Sequence, residues 1–227
     1  MRIRVISIGA LAANHLWNEP APVRTGHATT TLIEAGEACI LVDPGLPPQV
    51  LTARLSERAN RTPEQITQVF LTSFNPDTCR GIEAFGKADW LIGEAERETI
   101  GVNLVEQVKR AHAGEDEELR DALGHDVAVL QRCQAAPDTL APGVDLFPLH
   151  GATPGLTGLI ISEPNTTTLI CGDAIPTTEH LEQGSVLRSC FDVAKAQESF
   201  REAVEIADVL ILGRDNLTIN PTRFSMF

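Results

Sequence analysis

Leu71-Thr72-Ser73-Phe74-Asn75-Pro76-Asp77-Thr78-Cys79-Arg80-Gly81 is the stretch on which the fold of this chain turns. Val69-Phe70-Leu71, flanked by polar residues, predicts a short buried strand over 68–72. At Ser73 the apolar run stops, and a loop rich in polar residues follows directly to Gly81.

Upstream, Arg2 and Arg4 alternate with Ile3 and Val5, which predicts a strand over 2–9. Two arginines before an apolar run ending in Ala10-Leu11-Ala12-Ala13 loosely imitate a signal peptide, but the run is short and the alternation favours a strand. A loop over 14–25 is followed by Thr29–Glu34 and Cys39–Val42, a hairpin around Ala35-Gly36-Glu37 that ends in the turn Asp43-Pro44-Gly45. Val50, Leu51 and Leu55 give Pro48–Asn60 helical spacing, and Thr62-Pro63-Glu64 opens a short helix with Thr62 as N-cap.

Downstream, Trp90–Ile92 reads as a strand. From Glu94 to about Gln134 the pattern is helical, with Ile100, Leu104, Val105 and Val108, then Leu119, Leu123, Val127 and Leu130, divided at Gly114. These stripes predict core packing, with a lid or dimer surface as the other use of such helices. Val144–Leu149, Leu159–Ser162, Thr168–Cys171 and Val209–Leu212 are β-like, and Lys195–Ile206 is helical. Two runs of strands, each followed by helix, predict an α/β four-layer αββα sandwich: one domain over 1–227 with a helical insertion at about 94–136.

The bulk composition narrows the function classes. With 43% hydrophobic and 22% charged residues, the 227-residue chain has the make-up of a globular domain, and no 18-residue apolar run predicts a membrane span. The net charge of −13, with no Lys/Arg cluster visible along the sequence, argues against nucleic acid as a partner. The acidic run Glu115–Glu118 reads as a solvated helix face. Five widely spaced cysteines without a C-x-x-C predict reduced thiols and a cytoplasmic protein.

The loop at 72–81 resembles the metallo-β-lactamase superfamily, whose signature is a strand ending in T-H-x-H-x-D-H-x-G-G. Thr72, Pro76, Asp77 and Gly81 match, whereas Ser73, Asn75 and Thr78 stand at the three histidine positions and Arg80 replaces a glycine. Four further elements follow in order. Cys39–Gly45 resembles the strand ending in D-x-G. Thr153-Pro154-Gly155-Leu156-Thr157-Gly158 resembles T-P-G-H-T-x-G with Leu156 for histidine. Leu169–Asp173 resembles the strand bearing the metal-bridging aspartate. Ile211-Leu212-Gly213-Arg214-Asp215 resembles the last strand, with Arg214 for the final histidine.

The resemblance implies a binuclear zinc hydrolase site of five histidines and two aspartates. Here the aspartates are Asp77 and Asp173, and no histidine stands at any of the five positions. Zinc takes about four ligands, usually with nitrogen or sulfur among them. Leucine cannot coordinate, and arginine brings positive charge to the place of a cation. The expectation is therefore a fold without the usual metal, cofactor or catalytic residues, in which Arg214 neutralises one or both orphaned carboxylates. Asp77 as a general base, with Arg214 or Arg80 as electrophile, is the residual catalytic option. Cys79 is either a reactive thiol beside Arg80 or an idle buried one, the latter favoured for want of a His partner.

Six histidines exist, and His27, His150 and His180 are the candidates for a rebuilt metal site; His112 and His125 fall in the insertion and carry no role. The expected function is a binding or regulatory pseudoenzyme that takes a small molecule or protein, with a homodimer left open. The alternative is a hydrolase of esters, thioesters, lactones or phosphoesters with a rebuilt or metal-free site. A purely structural subunit with a filled pocket is the third reading.

Overall fold

The computed structural model describes residues 1–112 and 116–224. Strands β1 (Arg2–Ser7), β2 (Thr30–Ala35), β3 (Ala38–Val42), β4 (Gln68–Leu71), β5 (Asp89–Ile92) and β6 (Gln134–Ala135) form one sheet in that order. Its first three strands are antiparallel and the run from β3 to β6 is parallel. Strands β7 (Thr139–Ala141), β8 (Val144–Pro148), β9 (Thr157–Glu163), β10 (Thr166–Ile170), β11 (Val209–Ile211) and β12 (Leu217–Ile219) form the second, in the order β12-β11-β10-β9-β8-β7. There only β10 and β11 run parallel. The helices are α1 (Pro48–Ala59), α2 (Pro76–Cys79), α3 (Glu94–His112), α4 (Glu117–Arg132), α5 (Thr178–Gln183), α6 (Val193–Ile206) and α7 (Pro221–Phe224).

Strand alternation builds the layers, because successive side chains point to opposite faces. From β3, Cys39 and Leu41 join an outer core with Leu51 and Leu55 of α1, Leu104 of α3 and Leu130 of α4. Ile40 and Val42 point the other way and meet Val144, Leu159 and Ile161 of the second sheet. On the far side, Leu169, Leu210 and Leu212 pack against Phe200 and Ala203 of α6. Three apolar layers between two sheets and two helical faces make an αββα sandwich.

The expected insertion needs one adjustment. Gln134 and Ala135, at its C-terminal end, pair in parallel with Leu91 and Ile92, so the segment also supplies the first sheet's edge strand. The break expected at Gly114, and Glu115 of the acidic run, lie outside the described residues. Thr62 does head a turn, with its N–H donating to Gln65 Oε1 at 2.9 Å, but that turn is a single 3₁₀ turn over Pro63–Gln65. Residues 2–7 form β1, as the alternation predicts. Among the described residues no helix is long and apolar enough to cross a membrane. All five cysteines are free and four are buried.

Candidate functional site

Parallel strands β3 and β4 end side by side, and their C-terminal turns build the floor of the site. Asp43, just past β3, adopts a left-handed backbone (φ 49°), a region that Asp enters more readily than most residues. Its carboxylate accepts from Thr72 N–H at 2.8 Å and from the Thr72 hydroxyl at 2.7 Å. Burial pushes the Asp43 carboxyl up to about 7, against the pull of these hydrogen bonds. Opposite lies Gly172, also left-handed (φ 51°), where an added Cβ would meet Thr72 Oγ1 at 2.8 Å. The two sheets thus approach here closely enough to require glycine.

The loop after β4 folds on itself. Asn75 caps α2, its Oδ1 accepting from Asp77 N–H at 2.9 Å while its Nδ2 donates to Ser73 Oγ at 3.0 Å. The Thr78 hydroxyl donates to the Ser73 carbonyl at 2.7 Å. Ser73, Asn75 and Thr78 therefore spend their polar atoms on one another. Leu156, at the fourth histidine position, is fully buried in the apolar cluster with Leu149, Leu169 and Leu181.

Arg214 occupies the centre. Its Nε and Nη2 donate to Asp173 Oδ1 and Oδ2, each at 2.7 Å, and its Nη1 donates to Asp77 Oδ2 at 2.6 Å. The backbone is anchored as well, Arg214 N–H donating to the Pro176 carbonyl at 2.7 Å. Arg214 is 7% exposed and Asp173 9%. Burial opposes the arginine's charge, but Asp173 first and Asp77 second hold it above the ordinary guanidinium range. Arg80 reaches Asp77 Oδ1 at 3.2 Å and also donates to the carbonyls of Gly26 and Gly45. Two guanidinium and two carboxylate groups leave the cluster formally neutral.

A binuclear zinc centre does not fit this donor set. Both aspartates already satisfy a guanidinium, and among the described residues no three His, Cys, Asp or Glu side chains converge on one point. His27 is held by backbone carbonyls, its Nε2 lying 3.1 Å from Ile8 O. His150 lines a separate surface cleft with Lys195. His180 is buried, with Nδ1 2.9 Å from the Thr177 hydroxyl and an edge contact to His15, and its Nε2 has no partner among the described residues. Burial and His15 push His180 down to about 4. The Cys79 thiol donates to the Asn75 carbonyl, and burial pushes it up to about 12, so it is an idle thiol at neutral pH.

One group invisible in the sequence organises the surroundings. Glu96, in the first turn of α3, is fully buried. Its Oε1 accepts from Phe74 N–H at 3.1 Å, and its Oε2 accepts from the Thr153 hydroxyl and from Gly155 N–H, each at 2.8 Å. One carboxylate thus ties the Asp77 loop to the Thr153–Thr157 turn. Gly155 is fixed by the same packing, since a Cβ there would lie 2.1 Å from Glu96 N.

Above Arg214 opens a cleft of about 430 Å³, whose walls include Ala10, Leu11, Asn14, Trp17, Arg24 and Asp215. Asn14 is 1% exposed, and its Nδ2 has no partner among the described residues, while Oδ1 accepts from Leu16 N–H. Arg24 lies over the Trp17 ring and is paired with Glu19.

The αββα sandwich gathers its loops where β3, β4, β10 and β11 end. The chain belongs to the metallo-beta-lactamase superfamily, whose family model matches residues 23–212. Solved structures with the same fold include a protein of Thermotoga maritima assigned to the metallo-beta-lactamases, at 15% identity and a TM-score of 0.70, covering 96% of this chain and 98% of that one. The dizinc quorum-quenching lactonase AidC aligns at 19% identity and a TM-score of 0.67, over 85% of this chain and 74% of its own. A point mutant of the AiiA protein of B. thuringiensis, solved with N-decanoyl-L-homoserine bound at the active site, aligns at 19% identity and a TM-score of 0.65, over 94% of this chain and 92% of its own. No curated protein matches the chain.

Proposed function

We propose that this protein is a pseudoenzyme of the superfamily: a binding or regulatory protein in which an arginine takes the place of the metal. The observation that carries the reading is the bidentate seat of Arg214 on Asp173, with its third contact to Asp77. A zinc ion in such sites lowers the pKa of a bound water and polarises the scissile group. Arg214 neutralises the same carboxylates but cannot coordinate a water and lower its pKa. Ser73, Asn75 and Thr78 are hydrogen-bonded to one another, and the Leu156 side chain has no ligating atom. The polar cleft above Arg214, with the unpartnered Asn14 amide in its wall, is the place for a small ligand.

The second reading is a hydrolase of esters, thioesters, lactones or phosphoesters with a metal-free site. It draws on the lactone-handling structural neighbours and on Asp77, whose side chain is 30% exposed and could reach a ligand. Assay against a generic ester, a lactone and a phosphodiester separates the two. The pseudoenzyme reading expects no turnover above buffer. Turnover abolished by Asp77→Asn would overturn it.

A further inference from the structure

The sequence shows no Lys/Arg cluster, but folding assembles one from two separate elements. Arg4 of β1 donates through Nη1 to the carbonyl of Arg58 in the last turn of α1, and Arg54 lies one turn back along the same helix. Arg54, Arg58 and His27 line a cleft of about 350 Å³ whose floor is Ile6, Ile8, Leu46 and Val50, with Ser7 between them. No carboxylate lines it.

This is an unusual place in a chain of net charge −13. Arg54 and Arg58, four apart on one helix face, repel each other, and Arg4 adds a third cation. Arg54 pairs with Glu57 at 3.5 Å, with both side chains largely in solvent, and Glu34, which pairs with Arg61 and Arg2, lies within electrostatic reach of Arg4. Arg58 makes no ion pair among the described residues. Its place near the end of α1 gives it some favourable interaction with the helix dipole, which does not explain Arg54 or the apolar floor beside them. Guanidinium forks match the oxygens of a phosphate, and two of them match its double charge better than a carboxylate's single one. The exposed Val50 and Ile8 offer a surface to an organic body attached to that phosphate.

We infer that the cleft between β1 and α1 is a binding site for a small organic phosphate monoester, gripped by Arg54 and Arg58 with its organic part on Ile8, Leu46 and Val50. The site shares no lining residue with the cleft above Arg214 and does not depend on the pseudoenzyme reading.

The test is calorimetric titration of the full chain with phenyl phosphate, inorganic phosphate, benzoate and phenol. Phenyl phosphate binds in the millimolar range or tighter, and at least about fivefold tighter than inorganic phosphate or benzoate, while phenol does not bind. The exposed double variant Arg54→Ala/Arg58→Ala weakens phenyl phosphate about tenfold or more, and Arg110→Ala on α3 leaves it unchanged. Absence of phenyl phosphate binding overturns the proposal, as does equal binding by the double variant. Equal affinity for benzoate overturns the phosphate assignment, and an equal loss in Arg110→Ala reduces the effect to bulk charge.

Discussion

Arg214 and Asp173 meet fork to fork, Nε and Nη2 each 2.7 Å from a carboxylate oxygen, in a place where neither is more than a tenth exposed. Removing one partner of a buried pair leaves the other as an uncompensated charge, which costs far more than the pair is worth. Arg214→Met should therefore destabilise the fold by about 3–5 kcal/mol in urea denaturation. A loss of under about 1 kcal/mol would mean that the pair is no more important than a surface bridge. Arg214→Lys keeps the charge without the planar fork and should fall between.

Glu96 supplies a second structural prediction. Its carboxylate is the shared acceptor for Phe74, Thr153 and Gly155. Removing the shared acceptor leaves three donors unpaired, at about 1–3 kcal/mol for each one that stays buried, so Glu96→Ala should cost at least about 3 kcal/mol. Glu96→Gln, which can still accept through one oxygen, should cost less. Hydrogen exchange should rise at Phe74 and Gly155 together in the alanine variant, and protection that stayed high at either amide would contradict the clamp.

Returning one histidine should not return the site. Leu156→His places an imidazole among Leu149, Leu169 and Leu181, where nothing satisfies it. The variant should lose about 1–3 kcal/mol of stability and bind no zinc. Zinc-dependent stabilisation of this single variant, seen as a melting temperature raised by added zinc, would show that the other donors are available after all.

Two buried groups give opposed pH dependences. The folded chain holds the Asp43 proton up to about 7, against an ordinary 3.8. That contribution is full below the ordinary value and is lost as pH rises toward 7. His180 titrates at about 4 instead of 6.5, so its contribution is full above 6.5 and is lost as pH falls toward 4. Between these limits the slopes oppose. Asp43→Asn, which tolerates the left-handed backbone, should lose stability more steeply than the parent chain on acidification through this window. His180→Gln should lose it more steeply on going toward neutral pH. Denaturation midpoints measured across the window test both, and profiles parallel to the parent's would refute the assignments.

Much of this was legible in the sequence, and the reasons are specific. Ile40 and Val42 alternate with Cys39 and Leu41, so a two-layer core could be read from one strand. The Arg214 pairing followed from charge: two aspartates at matched positions with every histidine missing require a cation, and the structure gives Arg214 to both of them. Glu96 was not legible, because a glutamate in the first turn of a helix usually complements the dipole at the surface. Its burial depends on the Thr153–Thr157 turn landing over it from fifty-odd residues away along the chain. The arginines of β1 and α1 escaped for the same reason, being far apart in sequence. Strands β7 and β12, at three residues each, are too short to show a period.

Arg214 pairs with both Asp77 and Asp173. The most direct test of the proposal that it does so in place of a metal is elemental analysis of protein expressed in zinc-supplemented medium and purified without chelator, alongside Arg214→Ala. The account predicts zinc far below one equivalent per chain in the parent protein, and no gain in the variant, since the five histidine positions still hold no imidazole. Stoichiometric zinc in the parent protein, lost on Asp173→Ala, would contradict it.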